Sequence, residues 1–190
     1  MYEFDKILNK GEKILWEGRP VFQPYFVGSI GLMIFGGVFF LAGLVFFIMA
    51  IVTKQYLLLL FPHVWVGLGI VVGVPLYRYF SYKHIAYAIT NKRVLIQKGV
   101  IGRDFDFVDY DQIRNVSVDV GFFDKILGKE SGTLEIHTGA ASTYLLEHIA
   151  DPYQITRFFS RVEYNVKTDM EYPNKYRPKT NPGYTTRLKK

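Results

Sequence analysis

The chain has no cysteine. This excludes disulfide scaffolds, thiol nucleophiles, cysteine-ligated zinc and c-type haem attachment. It also lacks charge where a soluble domain needs it. Lys and Arg total 23 and Asp and Glu 17 in 190 residues, yet none lies in Val27 to Val52 or in Gln55 to Tyr77. Two such runs exclude a fully water-soluble protein of this size. The remainder leaves room for one small folded domain. Even the net charge of +6 is unevenly placed. Met1 to Tyr164 holds 16 basic and 15 acidic residues, whereas Asn165 to Lys190 holds 7 and 2.

At about 1.5 Å per residue the two runs make helices of roughly 39 and 35 Å, long enough for a hydrocarbon core of about 30 Å. Only Thr53 and Lys54 separate them, which predicts a tight transmembrane helical hairpin within residues 25–80, its spans at 27–52 and 55–77. Both chain ends then lie on one side. The connecting turn offers Lys54 alone, while Lys6, Lys10, Lys13 and Arg19 precede the first span and Arg78, Lys83, Lys92 and Arg93 follow the second. The positive-inside rule makes both termini cytoplasmic, in a multi-pass protein of the cell (inner) membrane. Trp16, Tyr25, Tyr77, Tyr79 and Tyr82 suit the inner interface. A signal peptide does not fit, because the first apolar run starts late, is too long and is followed by a second span.

Gly69 and Gly73 form a G-x-x-x-G in the second span, a spacing that lets helix backbones approach. It serves either packing within the hairpin or a contact between copies. Pro62 removes a backbone donor and frees a carbonyl one turn earlier. His63 beside it is the one ionisable side chain in either span. An intramembrane histidine raises a functional reading as a transport or channel residue. The structural reading is a neutral imidazole bonding the freed carbonyl.

Residues 1–24 read as a cytoplasmic or interfacial segment, and residues 81–164 as the folded domain. Strand-like alternation covers His84 to Thr90, Arg93 to Lys98, Arg103 to Tyr110, Gln112 to Val120, Thr133 to Thr138 and Thr143 to Ile149. Asn91-Lys92 suits a two-residue turn. In the third strand Phe105 and Phe107 are expected inward, Asp104 and Asp106 outward. Asp151-Pro152 then reads as a helix start, with Ile155, Phe158, Phe159 and Val162 at helical spacing. Several short strands closed by one amphipathic helix predict a small α+β barrel with a helical lid.

These residues carry a resemblance. Tyr87-Ala-Ile-Thr90-Asn-Lys-Arg93-Val with Lys98-Gly99, then Arg103, Tyr110-Asp111-Gln112-Ile113 and Val116-Ser-Val118, resemble the bacterial-type pleckstrin-homology (PH-like) membrane protein family. Gly121 to Gly128, Gly132-Thr133-Leu134-Glu-Ile136, the Asp151-Pro152 helix and the upstream Gly11-Glu12 to Arg19-Pro20 are similar too. The resemblance covers about residues 8 to 163. It implies a two-helix hairpin plus a PH-like domain, a bent seven-stranded sheet capped by a C-terminal helix. It implies no catalytic activity and, by analogy alone, points towards envelope stress or antimicrobial-peptide resistance.

Lys92, Arg93, Lys98 and Arg103 are the lipid-headgroup candidates; the alternative is solvated charge beside a membrane. Asp104, Asp106, Asp109 and Asp111 argue against a wholly basic face. No catalytic residue can be assigned. His63, His84, His137 and His148 show no metal spacing. Gly128-Lys129 is followed by Glu130 where a P-loop needs Ser or Thr. Neither a metal nor another cofactor is expected. Residues 165–190, rich in Pro, Lys and Arg, read as a basic disordered tail that either touches anionic lipid or remains in solvent. No folded basic groove accompanies it, so nucleic acid is not an expected partner. The expected partners are membrane lipids, a second copy or another membrane protein. The leading reading is a non-enzymatic membrane protein with a cytoplasmic PH-like interaction and assembly module. The alternatives are lipid recognition or handling, and a small transporter or channel subunit.

Overall fold

The computed structural model describes residues 3–100, 102–127, 130–139 and 142–171. These residues divide into two units: Tyr25–Lys83, and those up to Pro24 together with those from His84 onward.

The first unit is helical. A short helix α1 (Phe22–Val27) leads to α2 (Ile30–Val52), and α3 runs from Pro62 to His84. The link between α2 and α3 is longer than the two-residue turn expected. The Thr53 hydroxyl donates to the Met49 carbonyl, closing α2, and Lys54 takes φ +58°. A 3-10 turn at Tyr56–Leu60 follows, which the Trp65 indole ties down at the Leu59 carbonyl, 2.9 Å away. Pro62 is therefore the first residue of α3, where a missing donor costs nothing. It does not interrupt a span, and the freed carbonyl expected one turn earlier does not arise.

The two long helices run antiparallel from the start of α3 to the start of α2. A Cβ at Gly43 would strike Val64, one at Gly67 the Phe40 backbone, and one at Gly36 the Ile70 side chain. Nearer the open end, Arg78 Nε donates to Ser29 Oγ at 2.6 Å, and Tyr25 meets Tyr82 with ring centroids 6.2 Å apart. Positions rise along one helix as they fall along the other. Glycine serves at these crossings because only a missing Cβ allows backbones so close. Away from the seam the apolar side chains face outward: Val38, Leu41 and Ile34 are all more than 60% exposed.

Among its described residues the second unit holds seven strands in two antiparallel sheets. The first has the order β1 (Ile14–Gly18), β2 (Ala86–Thr90), β3 (Arg93–Lys98), β4 (Asp104–Asp109); the second is β5 (Ile113–Asp119), β6 (Ser131–Thr138), β7 (Thr143–Ala150). No strand pairing joins the sheets among the described residues, so they form a two-sheet arrangement where strand spacing suggested a barrel. A 3-10 turn at Tyr110–Gln112 passes the chain from β4 to β5. Helix α4 (Phe122–Leu127) sits between β5 and β6, and α5 (Pro152–Glu171) follows β7. Ile155, Phe158, Phe159, Val162 and Val166 of α5 join Tyr87, Ile96, Tyr110, Leu134, Ile136 and Leu146 in one core. Each such side chain contributes about 1.5–3 kcal/mol when fully withdrawn from water.

Three expectations change here. The described part of the segment 1–24, set apart in the sequence, belongs to the folded unit: Gly18 pairs with Tyr87 and Glu17 with Ala88. The helical hairpin is thus an insertion between two neighbouring strands. Phe105 and Phe107 do not face the main core, which takes Val108 from that strand. They lie on the other face of the sheet, where Phe105 packs on a second cluster of Phe4, Ile14, Ala86, Ala88 and Leu95, and Phe107 stays 41% exposed. Helix α5 continues to Glu171, so residues 165–171 of the expected tail are helical. The rest of the tail lies outside the described residues.

Candidate functional site

The four expected headgroup cations mostly grip the chain's own N-terminal segment. Arg93 opens β3 directly after the Asn91-Lys92 turn. Its Nε lies 3.2 Å from Glu12 Oε1, and its Nη2 donates to Glu12 Oε2 at 3.3 Å and to the Ile7 carbonyl at 3.0 Å. The guanidinium also stands 4.4 Å over the Phe107 ring. Lys92 Nζ donates to the Lys10 carbonyl at 3.0 Å, and Arg103 pairs with Glu3. Only Lys98 turns elsewhere, to Asp106 at 3.3 Å on an exposed surface. These cations are held by internal acceptors and do not form an open anion cradle.

Glu12 is the centre of this arrangement. Its side chain is fully buried. Besides Arg93 it accepts from the Asn9 N–H at 2.8 Å and the Thr90 hydroxyl at 2.8 Å. Burial pushes its pKa up. The hydrogen bonds from Asn9, Thr90 and Arg93, with the Arg93 charge, outweigh that and hold it below the ordinary carboxylate value. Asn91 completes the fastening: its Oδ1 accepts from the Lys13 N–H at 2.7 Å and its Nδ2 donates to the Gly11 carbonyl at 3.3 Å. The Thr90-Asn91 pair that reads as turn chemistry in sequence therefore also binds a segment almost eighty positions away.

A second buried carboxylate had no signal in the sequence. Asp124 of α4 accepts from Ser131 Oγ at 2.5 Å and lies 2.8 Å from His148 Nδ1, both at the same oxygen. Asp124 and Ser131 are buried. His148 reaches it because β7 carries an extra residue opposite Gly132–Leu134 and His148 adopts φ +50°, the bulge geometry that re-aims a side chain. The order of these groups is wrong for nucleophilic catalysis. The Ser131 hydroxyl donates to the carboxylate, whereas in a nucleophilic triad it donates to the imidazole. On the second sheet His137 is flanked by Ser117 Oγ and Thr143 Oγ1, both at 3.0 Å, with Glu135 at 3.5 Å. This row of side chains is half-exposed. Among the described residues no three His, Asp or Glu side chains converge as a metal site requires.

In the helical unit, His63 stacks between Phe39 and Phe61, at centroid distances of 4.4 and 4.6 Å. Its Nδ1 is buried without a hydrogen-bond partner, so that nitrogen does not bond a backbone carbonyl as expected. Gly69 and Gly73 also differ from expectation. Each has open space where a Cβ would stand, which removes packing within the hairpin as their role. Gly36, Gly43 and Gly67 form the seam instead.

The bacterial PH domain family model matches residues 30–162. The chain belongs to this family. That match takes in both long helices as well as β2 to β7 and the first half of α5, so the helical hairpin lies largely within the bacterial PH domain match. The strand β1 precedes it. A solved structure, a DUF1696 family protein with a pleckstrin-homology domain from Shewanella loihica PV-4, is 15% identical, with an alignment covering 42% of this chain and 71% of that one at a TM-score of 0.32. No curated protein matches the chain.

Proposed function

We propose that this bacterial PH domain protein is a non-enzymatic membrane-anchored interaction module. Its helical hairpin crosses the bilayer, and its folded unit stands on the cytoplasmic side as a platform for assembly with a second copy or another membrane protein. One observation carries the reading. Two helices long and apolar enough to cross a membrane expose their apolar flanks, and they are inserted between hydrogen-bonded strands β1 and β2. A core helix of a soluble protein buries such flanks. Because Gly18 and Tyr87 are partners in one ladder, both ends of the hairpin return to one folded body on one side of the membrane. The excess of Lys and Arg flanking the helices, against Lys54 alone at the turn, supports an inward position for that side.

Recognition of lipid headgroups by the first β-hairpin is less well supported, since Lys92, Arg93 and Arg103 are already satisfied by the N-terminal segment. The transporter reading rests on one stacked histidine. Native mass spectrometry of the full chain extracted from membranes tests the proposal. An assembly of defined stoichiometry is expected. A monomer that retains anionic lipid, and releases it on Lys92→Ala and Lys98→Ala substitution, would replace the interaction reading with lipid recognition.

A further inference from the structure

We infer that helix α4 rests on the membrane surface, with Phe122 and Ile126 entering the interfacial layer of the leaflet from which the hairpin emerges. The inference extends the membrane-anchored reading above and rests on it. Phe122 and Ile126 are four positions apart, hence on one face of the helix, and are 69% and 62% exposed. Among the described residues of the folded unit, no Phe, Ile, Leu or Val is more exposed than these two. Lys125, also exposed, adds the charge and the long stem that suit an anionic headgroup layer.

The exposure is built into the fold. Six residues are too few to hold a helix by propensity. Asp124, bound to Ser131 and His148, fixes this one from its buried side and leaves the hydrocarbon side outward. The same contacts tie it to the segment that leads into the hairpin. The His148 carbonyl accepts from the Val21 N–H at 2.7 Å, so one residue of β7 holds α4 with its side chain and the entry to the first helix with its backbone. From Val21 the chain reaches α2 at Ile30, a stretch that spans at most about 30 Å even if fully extended. A bilayer is therefore the surface within reach of α4. Short reach also gives a tethered contact a high effective concentration, so a weak contact suffices.

Because the chain lacks cysteine, single cysteines give unique labels. The full chain is reconstituted into phosphatidylcholine–phosphatidylglycerol vesicles carrying nitroxide-labelled lipid. An environment-sensitive fluorophore is placed at Ile126→Cys, at Leu41→Cys on the outward side of α2, or at Thr143→Cys at the far end of β7 from His148. The Leu41→Cys and Ile126→Cys labels are expected to lose most of their emission, and the Thr143→Cys label to keep it. Emission kept at Ile126→Cys while lost at Leu41→Cys overturns the docking and leaves the anchoring intact. Emission kept at Leu41→Cys overturns the anchoring itself. Self-quenching at Ile126→Cys that disappears on dilution with unlabelled chain, without quenching by lipid, assigns the face to a second copy and overturns bilayer docking.

Discussion

The folded unit fastens two peripheral segments by two buried carboxylates, and the two clasps do opposite work. Glu12, held by Arg93, Thr90 and Asn9, draws the N-terminal segment over the outer face of the first sheet, where Phe4 and Ile14 become buried. Asp124, held by Ser131 and His148, fixes α4 while Phe122 and Ile126 stay outside. One clasp completes a core and the other presents a surface. Their partners differ accordingly. A guanidinium stays charged at any working pH and satisfies both carboxylate oxygens. A serine and an imidazole reach one oxygen only.

The largest effect is expected at the first clasp. Arg93→Ala leaves the Glu12 carboxylate buried beside neutral donors, and breaking a buried pair in this way costs about 3–5 kcal/mol. Denaturant unfolding of the detergent-solubilised full chain measures it. A loss near zero would mean that the N-terminal segment is not part of the folded unit. Asp124→Ala comes next. It strips partners from Ser131 and His148 at a cost of about 1–3 kcal/mol, and hydrogen exchange within α4 should rise more than exchange within β1. Equal change in both would erase the distinction between the clasps.

The pH dependence follows from the direction of the Glu12 shift. Its pKa is lower in the folded chain than its ordinary value of 4.5. Its contribution is complete above that value and is lost as pH falls towards and through the lower folded one. Wild type and Glu12→Gln should therefore differ in stability at neutral pH and converge as the solution is acidified through this range. A gap that widens on acidification contradicts the assignment. The smallest effect is expected from Lys98→Ala. Its exposed pair with Asp106 belongs to neither clasp and is worth about 0–1 kcal/mol. A loss as large as that of Arg93→Ala would make membership of a clasp irrelevant.

What the sequence revealed was local. The strand Arg93–Lys98 and the turn before it follow from alternation and turn chemistry. The start of α5 follows from its Asp-Pro pair. What it hid was pairing at a distance. Ile14–Gly18 is five residues long and contains Glu17; its partner lies beyond the whole helical hairpin, so periodicity alone could not mark it as a strand. Alternation in β4 separated two faces correctly, but the first sheet is covered on both, and Val108 rather than Phe107 meets the main core. The G-x-x-x-G spacing placed Gly69 and Gly73 on one face of α3 without saying which face meets α2. The cations of the first β-hairpin were legible as charge, whereas their acceptors in the N-terminal segment were not. His148 depended on a bulge that only the pairing of β6 with β7 defines.

The proposed membrane-crossing hairpin, inserted between β1 and β2, keeps the folded unit on a single side of the membrane. This topology is tested by single cysteines at Lys54 and Lys10 in the cysteine-free chain, challenged with a membrane-impermeant maleimide in intact cells. Lys54→Cys is expected to be labelled from outside, and Lys10→Cys only after the membrane is opened. Labelling of both positions from the same side would contradict it.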